Sequence, residues 1–325
     1  MRVLLDATFA RRGPSGTGVY VERLAAALRD QGVEVVAAVN ERRRPPATGS
    51  ARNLAEDARW TQIELRRLAR AAGADVIHHP LPAHIAGAPA AQVVTVHDLA
   101  FEALPQAFDP RFATFARRAH RLAARRADAV IAVSEATKRE LQERWKVEAT
   151  VARHGPGQEL TVGERGEPRH FLYVGDAEPR KDLPTLLAAH ARYRSTAKDP
   201  LPLVLAGTAF ALDSGVRIVE RPSAAELAEL HRHAAALVHP SRHEGFGLTI
   251  AEALHAGTPV IAADTPAIRE LAGTAAKLVS PGDVDALAAA LHDPPRPAAA
   301  EIPTWADSAR AHIAAYEAAL ATRRA

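Results

Sequence analysis

Two glutamates, Glu244 and Glu252, are the residues of this sequence whose type and spacing most clearly support chemistry. Seven residues separate them, and the first stands beside a Gly-Phe-Gly turn. Glu252 lies in an apolar, alanine-rich segment with the spacing of a helix. A carboxylate about one turn into a helix can accept hydrogen bonds from hydroxyl groups such as those of a ribose. If a phosphate binds at the start of that helix, a carboxylate in the preceding loop faces the group that is attached to this phosphate.

The five residues after the first glutamate are suited to binding phosphate. A helix that begins near Leu248 or Thr249 directs unpaired backbone N–H groups, and the positive end of its dipole, towards the turn before it. Gly245 and Gly247, with Phe246 between them, allow the backbone to approach a ligand without an intervening Cβ. For either glutamate alone, an ordinary capped helix with a solvated glutamate is as good an interpretation as a ligand site. The whole string favours a site for a phosphorylated ligand.

The string lies in an α/β series that contains a second candidate loop. A short apolar strand at 171–174 precedes a loop with the adjacent cations Arg180 and Lys181, and a later strand at 236–240 leads into the glutamate string. Ligands of parallel α/β sheets collect at the carboxyl ends of the strands, so polar residues in such loops are candidates for binding. The alternative for the basic pair is a solvated loop. The other predicted elements of this series are helix 183–194, strand 203–206, strand 216–219, helix 224–235, strand 259–262, strand 276–279 and helix 283–292.

An amino-terminal α/β series supplies further candidates. A glycine-rich loop with Gly16 and Gly18 separates its first strand from its first helix. Such a loop is by itself more typical of a turn than of a phosphate site. The strand at 92–98 carries His97 and Asp98 at its carboxyl end, where ligands bind in sheets of this kind. A histidine that is satisfied at a strand terminus is the alternative for His97.

The two series predict an α/β fold of two Rossmann-like domains, without a repeat of fixed short period. The regular pattern breaks between 151 and 168, where glycine, proline and charged residues are frequent, and this segment is the best candidate for a linker. We predict an amino-terminal domain over 1–158 and a second domain over 159–305. A last helix over 306–325 is predicted to cross back to the amino-terminal domain.

Composition limits the class of protein. The 325 residues are 47% hydrophobic and 24% charged, the net charge is only +3, and there is no cysteine. Disulfides, thiolate metal sites and a cysteine nucleophile are therefore excluded, and we expect no nucleic-acid partner. No apolar run approaches the ~20 residues of a membrane span, and we expect a cytoplasmic protein. The Arg-rich helix at 112–127 fits a solvated face, which we favour, or peripheral contact with anionic lipid.

The motifs, taken in order, resemble those of the retaining family-4 glycosyltransferases, which have the GT-B fold of two facing Rossmann-like domains around a central cleft. The segment 244–252 is similar to the E-x7-E element of that family and is followed by its Gly-Thr-Pro-Val turn. The loop at 174–182 is similar to the Val-Gly-x-x-x-Pro-Arg-Lys-Asn loop of a bacterial subgroup rich in mannosyltransferases. Segments 94–98 and 131–134 extend the resemblance to the amino-terminal half, and so does the glycine loop.

The resemblance implies that the amino-terminal domain binds the acceptor and the second domain binds the nucleotide sugar, and it implies a role for each candidate. Glu244 would hold hydroxyls of the transferred sugar and stabilise positive charge on it, and Glu252 would hold the ribose. Arg180 and Lys181 would bind the diphosphate, and His97 would contact the transferred sugar. Asp98 is a weaker candidate on the acceptor side. The other positions implied to contact the nucleotide, its base or its phosphates are Gly16, Gly18, Arg221, Ser241, Gly245, Phe246, Gly247, Leu248 and Thr249.

The activity implied is retaining transfer of a hexose from a nucleotide-diphosphate sugar to a hydroxyl of a glycan, glycolipid or small molecule. The loop at 174–182 favours GDP-mannose, with a UDP-sugar next. No cofactor and no tightly bound metal ion are expected. The alternatives are a sugar phosphorylase or nucleotide-sugar epimerase of the same fold, and a catalytically silent nucleotide-binding module. The silent module would require a damaged charged set, whereas both cations and both glutamates are present.

Four residues depart from the pattern of the family. Asp176 stands where many members have an arginine, and Asp182 replaces the usual asparagine after the basic pair. Thr249 stands where proline is common, which is a mild change at a helix start. Glu220 replaces a residue that is often small, and this puts the details of the base pocket in doubt.

Overall fold

The computed structural model describes residues 1–11, 15–43, 50–158, 160, 164–208 and 216–324, and the chain in it forms two compact units. The first unit comprises Met1–Glu102, Pro110–Gly155 and Pro303–Ala325. The second comprises Ala103–Asp109 and Pro156–Ile302. Each unit is an α/β structure built around its own parallel sheet, and the predicted fold class is confirmed.

The sheet of the first unit has six parallel strands in the order β2-β1-β3-β4-β5-β6. Its central strands are runs of valine, leucine and isoleucine that are buried on both faces, as is usual where helices cover both sides of a parallel sheet. The order reverses between β1 and β3, so the loop with Gly16 and Gly18 leaves the sheet at a topological switch point. The strands are β1 (Arg2–Asp6), β2 (Glu34–Ala38), β3 (Val76–His79), β4 (Ala91–Val96), β5 (Ala129–Ala132) and β6 (Thr150–Val151).

One predicted helix of this unit is longer and less regular than expected. The helix predicted from Leu54 to Ala72 begins at Ser50 and contains a π-helical turn at Trp60–Glu64. A π turn adds a residue to the helical repeat, and it brings Trp60 and Leu65 to the same buried side. The helices of the unit are α1 (Gly16–Asp30), α2 (Ser50–Arg59), α3 (Leu65–Ala72), α4 (Ala100–Ala103), α5 (Pro110–Arg126) and α6 (Glu135–Glu140), with a second π turn at Leu141–Trp145.

The last helix of the chain, α12 (Trp305–Arg324), groups with the first unit. It packs against α1, β4 and β5, and Trp305, Ala309 and Tyr316 are part of the core there. This part of the unit begins at Pro303, and the Trp305 ring stacks on His154 with 5.5 Å between ring centroids.

The sheet of the second unit has the order β12-β11-β10-β7-β8-β9, again with parallel neighbours. The order reverses between β7 and β10, which are hydrogen-bonded neighbours although about sixty residues apart in sequence. The elements are β7 (His170–Val174), α7 (Leu183–Thr196), β8 (Leu203–Gly207), β9 (Val216–Glu220), α8 (Ala224–Arg232), β10 (Ala234–His239), α9 (Leu248–His255), β11 (Val260–Ala263), α10 (Pro266–Ala272), β12 (Ala276–Val279) and α11 (Val284–His292).

The predicted domain limits differ from these units in two further respects. The units change at Gly155–Pro156, close to the predicted limit of 158, and residues 159 and 161–163 of the predicted linker lie outside the described residues. Ala103–Asp109 groups with the second unit although it was assigned to the amino-terminal domain, because grouping follows spatial proximity, which the local residue pattern does not encode. Across the described ranges, no helix has both the length and the hydropathy needed to cross a membrane.

Candidate functional site

The two loops predicted to bind a ligand in the second unit leave adjacent strands at the switch point. The loop with Arg180 and Lys181 follows β7, and the loop with Glu244 follows β10. The crevice outside the carboxyl ends of two such strands is the usual ligand site of an open parallel sheet. The structure therefore brings the basic pair and the glutamate string together, as sequence order alone does not.

Three cationic or hydrogen-donating side chains meet one oxygen of Glu244. Its Oε1 lies 2.6 Å from Lys181 Nζ, 3.4 Å from Arg180 Nη1 and 3.1 Å from His239 Nε2. The Glu244 side chain is only 9% exposed, and those of Lys181 and Arg180 are 13% and 19% exposed. We call Arg180, Lys181, His239 and Glu244 the charge cluster. Its partial burial means that these charges interact more strongly than surface ion pairs do.

The charge cluster keeps Glu244 ionised. Burial by itself raises the pKa of the Glu244 carboxyl, but Lys181, the hydrogen bond from His239 and Arg180 together hold that pKa well below its usual range. Burial lowers the pKa of His239, against the effect of Glu244. The cluster thus contains a carboxylate, two cations and a neutral histidine near neutral pH.

His239 is a member of the cluster that sequence reasoning missed. Its Nε2–H donates to Glu244, and its Nδ1 accepts from the Thr249 hydroxyl at 3.3 Å, so one neutral tautomer satisfies both contacts. The signal that could have identified it is its position at the carboxyl end of a buried strand, which is the criterion that selected His97.

The basic loop is held by Asp182. Pro179–Lys181 forms a single 3-10 turn, and Asp182 follows with a left-handed φ of 51°. Asparagine and aspartate tolerate this conformation better than other side chains, which explains why Asp182 can replace the usual asparagine. Its carboxylate accepts from Thr185 Oγ1 at 2.9 Å and from Arg242 Nε at 2.7 Å, and this ties the loop to the glutamate string.

The glycine turn forms the start of α9, as predicted. Gly247 is the residue before the helix, with φ 96°, and a Cβ there would lie 2.7 Å from Ile268 Cδ1. A side chain at this position is excluded by both conformation and space. Leu248 and Thr249 open the helix, Gly245 lies in the turn before it, and the Phe246 side chain is buried.

Glu252 lies in α9 and is buried, so a solvated side chain is excluded for it. Its Oε1 accepts a hydrogen bond from the backbone N–H of Gln158 at 3.0 Å. The polar contact found in the structure is therefore with the segment that enters the second unit. A role in ribose binding stays a prediction.

The two residues assigned to the base are differently placed. Ser241 is fully buried, and its Oγ has no hydrogen-bond partner within the described ranges. A buried hydroxyl without a partner is costly, so this atom is suited to a ligand group. Arg221 follows β9 with a left-handed φ of 47°, and its backbone N–H contacts the Gly207 carbonyl at 3.4 Å.

The candidates of the first unit are engaged within that unit. The Gly18 N–H donates to Ser15 Oγ at 3.0 Å and so forms the side-chain cap of α1. This amide is therefore engaged within the helix start, whereas the expectation was a contact with the nucleotide or its phosphates. A Cβ on Gly18 would lie 3.0 Å from the Phe9 carbonyl oxygen, so the glycine allows close packing. Gly16 is the first residue of α1 and is exposed.

His97 is half-buried at the end of β4. Its Nε2–H donates to the Pro80 carbonyl at 3.0 Å, and the Tyr20 ring packs edge-on against it with centroids 4.8 Å apart. Burial lowers the pKa of His97 to about 4, so the ring is neutral at neutral pH. This is the satisfied strand-terminal histidine of the alternative interpretation, and contact with a sugar stays a prediction.

A buried polar network lies behind His97. Tyr20 Oη is 2.8 Å from both Thr95 Oγ1 and His312 Nε2, and Tyr316 Oη is 2.7 Å from His78 Nδ1. The four ring-bearing residues are fully buried. The network joins α1, β3 and β4 to the last helix of the chain, and no local sequence pattern indicated it.

Acid should weaken the first unit through this network. Burial lowers the pKa of His312 to about 4, whereas an unfolded histidine titrates near ~6.5, so the unfolded chain binds more protons between these values. The free energy of unfolding is therefore full above about 6.5 and falls as the pH decreases towards 4, by up to ~1.4 kcal/mol per pH unit for each such histidine. His312→Gln should give a shallower pH dependence by up to one proton.

Urea unfolding at several pH values measures this dependence for the first unit alone, since all three tryptophans, Trp60, Trp145 and Trp305, lie in it and report by fluorescence. An unchanged slope in His312→Gln would contradict the prediction.

Three aspartates bear on the departures from the family pattern and on metal binding. Asp176 accepts from the backbone N–H and the hydroxyl of Thr208, so the residue that replaces the frequent arginine holds two loops together. The sequence also contains an Asp-x-Asp triplet at 283–285, an arrangement that can serve as a metal-binding element. Here Asp283 caps α11 through the Ala286 N–H, and Asp285 pairs with Arg192. No group of three or more potential metal ligands occurs among the residues with described positions.

Comparison with known families divides the chain as the structure does. Residues 14–155 match the family described as "Glycosyltransferase Family 4", and residues 161–293 match "Glycosyl transferases group 1". The chain is similar to the O-antigen chain mannosyltransferase B of Escherichia coli, with 33% identity over 133 residues, or 37% of this chain and 35% of the relative. It is also similar to the O-antigen chain mannosyltransferase RfbU of Salmonella typhimurium, with 26% identity over 206 residues, or 59% and 57%. The matches thus span about a third to just over half of these relatives.

The fold is shared with solved structures. The structure of sucrose-phosphate synthase from Thermosynechococcus elongatus superposes over 100% of this chain and 98% of that one, with a TM-score of 0.71 and 19% identity. At this identity the likeness concerns the fold alone. It agrees with the two parallel six-stranded sheets described above.

Proposed function

Because the chain belongs to the family-4 glycosyltransferases of GT-B fold, we propose that it transfers a hexose from a nucleotide-diphosphate sugar to a hydroxyl group of a glycan, glycolipid or small molecule. The observation that carries the proposal is the charge cluster. Two cations and a buried carboxylate meet at the switch point, beside the start of α9. A helix start next to two cations is suited to a diphosphate, and the carboxylate is suited to sugar hydroxyls.

The reaction breaks the anomeric C–O bond while negative charge develops on the leaving diphosphate. In the proposed mechanism, Lys181, Arg180 and the first backbone N–H groups of α9 stabilise that charge. Glu244 holds sugar hydroxyls and stabilises positive charge on the sugar, while Glu252 binds the ribose. The acceptor hydroxyl attacks from the face that the diphosphate leaves, so the anomeric configuration is retained, and the phosphate takes the acceptor proton. No metal ion is required, because fixed donors carry out the charge stabilisation.

The favoured donor is GDP-mannose. The Pro-Arg-Lys loop supports this choice, and both curated relatives described above are named as mannosyltransferases. A UDP-sugar is the next candidate. Ser241 follows β10 and its buried hydroxyl lacks a described partner, and we infer that it contributes to the choice of nucleotide.

Nucleotide binding should be visible as thermal stabilisation. Among GDP, UDP, ADP and dTDP, we expect GDP to raise the melting temperature most, because GDP-mannose is the favoured donor. A ligand at about 100 times its Kd adds ~2.7 kcal/mol to the free energy of unfolding. Excess EDTA should leave the shift unchanged. The measurement is differential scanning fluorimetry of the whole chain at several concentrations of each nucleotide.

Each result of this screen has a defined meaning. A larger shift with UDP would replace the donor and leave the reaction class in place. No shift with any nucleotide, or a shift abolished by EDTA, would contradict the proposed donor site. Ser241→Ala, which removes the buried hydroxyl, should reduce the preference among nucleotides, whereas Ser195→Ala, an exposed position in the same unit, should not.

A further inference from the structure

Helix α5 of the first unit exposes an apolar stripe. The side chains of Phe112, Phe115 and Leu122 are 48%, 50% and 49% exposed. Their spacing of three and seven residues places them within an arc of roughly 80° on the helix surface. Six large hydrophobic side chains are exposed within the described ranges, and three of them are on this one helix, so the stripe is not the usual scatter of single residues.

A row of arginines runs along one side of the stripe. Arg111, Arg118 and Arg125 follow one another at intervals of seven residues, and all three are exposed. The whole helix has six arginines and no acidic residue. The guanidinium group of Arg125 donates through Nε to the Trp145 carbonyl at 2.9 Å, which leaves its two terminal nitrogens for a further contact.

A neighbouring face of α5 accounts for its packing in the unit. Ala113, Ala116, Ala123 and Ala124 are buried there. Arg117, on the same flank, pairs with Glu102 at 3.2 Å. The alanine face packs the helix in the unit, while about half of each stripe side chain is exposed to solvent at a cost in solvation free energy.

We propose that this face of α5 binds an anionic lipid bilayer. The helix lies in the plane of the interface, with the stripe of Phe112, Phe115 and Leu122 inserted at the acyl boundary. The guanidinium groups of Arg111, Arg118 and Arg125 contact the phosphates of the headgroups. An apolar stripe beside a basic row is the pattern of helices that bind at a membrane surface. The proposal goes beyond the transfer reaction and does not depend on it.

The other occupants of such a face are less well matched. A second copy of the chain would bring two basic rows together in a symmetric contact, and like charges there oppose association. A nucleic acid would pair with the arginines but would leave the two phenylalanines and the leucine exposed along the helix. Lipid satisfies both parts of the surface.

Vesicle flotation with the full chain tests the proposal. Binding to vesicles of phosphatidylcholine with phosphatidylglycerol should exceed binding to phosphatidylcholine alone and should fall as salt is added. Phe112→Ser/Phe115→Ser should lower the partition coefficient by about 100-fold, since each buried phenylalanine contributes about tenfold or more. Arg118→Gln should lower it about fivefold, the effect of one basic residue near an anionic surface.

Matched controls come from other surfaces of the same unit. Leu54→Ser and Ile63→Ser remove hydrophobic side chains that are 53% and 59% exposed, and Arg310→Gln removes an arginine that is 60% exposed. None of the three should change partitioning, and all variants should keep the wild-type melting temperature. Equal binding of wild type and Phe112→Ser/Phe115→Ser, or no binding to anionic vesicles, would overturn the proposal. A dimer that is lost in the phenylalanine variant, or binding to duplex DNA without binding to vesicles, would overturn it in favour of the other occupant.

Discussion

Lys181→Met is expected to lower turnover by at least ~100-fold while the chain remains folded. Lys181 Nζ lies 2.6 Å from Glu244 Oε1 at the switch point, next to the start of α9. A fixed donor aimed at charge that develops in the transition state typically contributes ~10²–10³ in rate. Methionine keeps the length and the apolar part of the side chain, so packing changes little. The measurement is release of the nucleotide diphosphate from the donor that the thermal screen identifies.

A lysine elsewhere in the second unit provides the control. Lys277 is 35% exposed and donates to Asp293, so Lys277→Met removes the same charge, together with a more exposed ion pair, away from the switch point. Its turnover should match the wild type. Wild-type turnover in Lys181→Met would remove Lys181 from the site, whereas equal losses in both variants would point to an effect of net charge.

Glu244→Gln is expected to lower turnover by at least ~100-fold and to destabilise the second unit as well. The amide cannot neutralise Lys181 and Arg180, which then remain as like charges that are only 13% and 19% exposed. Removal of one partner of a buried ion pair costs about 3–5 kcal/mol, and this site is not fully dry, so we expect about 3 kcal/mol. The tryptophans lie in the other unit, so their fluorescence does not report on this one. The loss is therefore measured by circular dichroism in urea.

The double variant Lys181→Met/Glu244→Gln separates the two effects. Removing both partners relieves the uncompensated charge, so it should be more stable than Glu244→Gln by ~1–3 kcal/mol, the usual coupling of residues in contact. Its turnover should remain as low as that of either single variant. Recovery of turnover together with stability would mean that the glutamate acts only through the fold.

The second unit was largely predictable because its signals are local. The strand, glycine turn and helix of 236–255 follow from apolar runs and from residues with special backbone freedom, and β10, Gly247 and α9 occur where expected. The contact between Lys181 and Glu244 is different, since 63 residues separate them. It exists because β7 and β10 are neighbours, and strand order depends on the packing of the whole sheet. Asp182 contacts Arg242 through that same adjacency, whereas His239 contacts Glu244 locally, within the chain that leaves β10.

In the first unit the pattern was less informative. Ser15 immediately precedes the glycine loop, and a cap at this position predicts that the Gly18 N–H is used within the helix start. Ser15 thus agrees with the interpretation of this loop as a turn. The network of Tyr20, Thr95 and His312 could not be found in the same way, because its members come from opposite ends of the chain.

The return of α12 to the first unit also determines the order in which the two units can complete folding during translation. Tyr20 and His78 leave the ribosome early, but their partners His312 and Tyr316 are translated only after the whole of Pro156–Ile302. The second unit can close while the first still lacks one wall of its core. Until then the buried hydroxyl and imidazole groups have no partners from α12. Slow translation of the last segment, or a stop codon before Trp305, would therefore expose the oldest part of the chain to proteases while the newer unit stays folded.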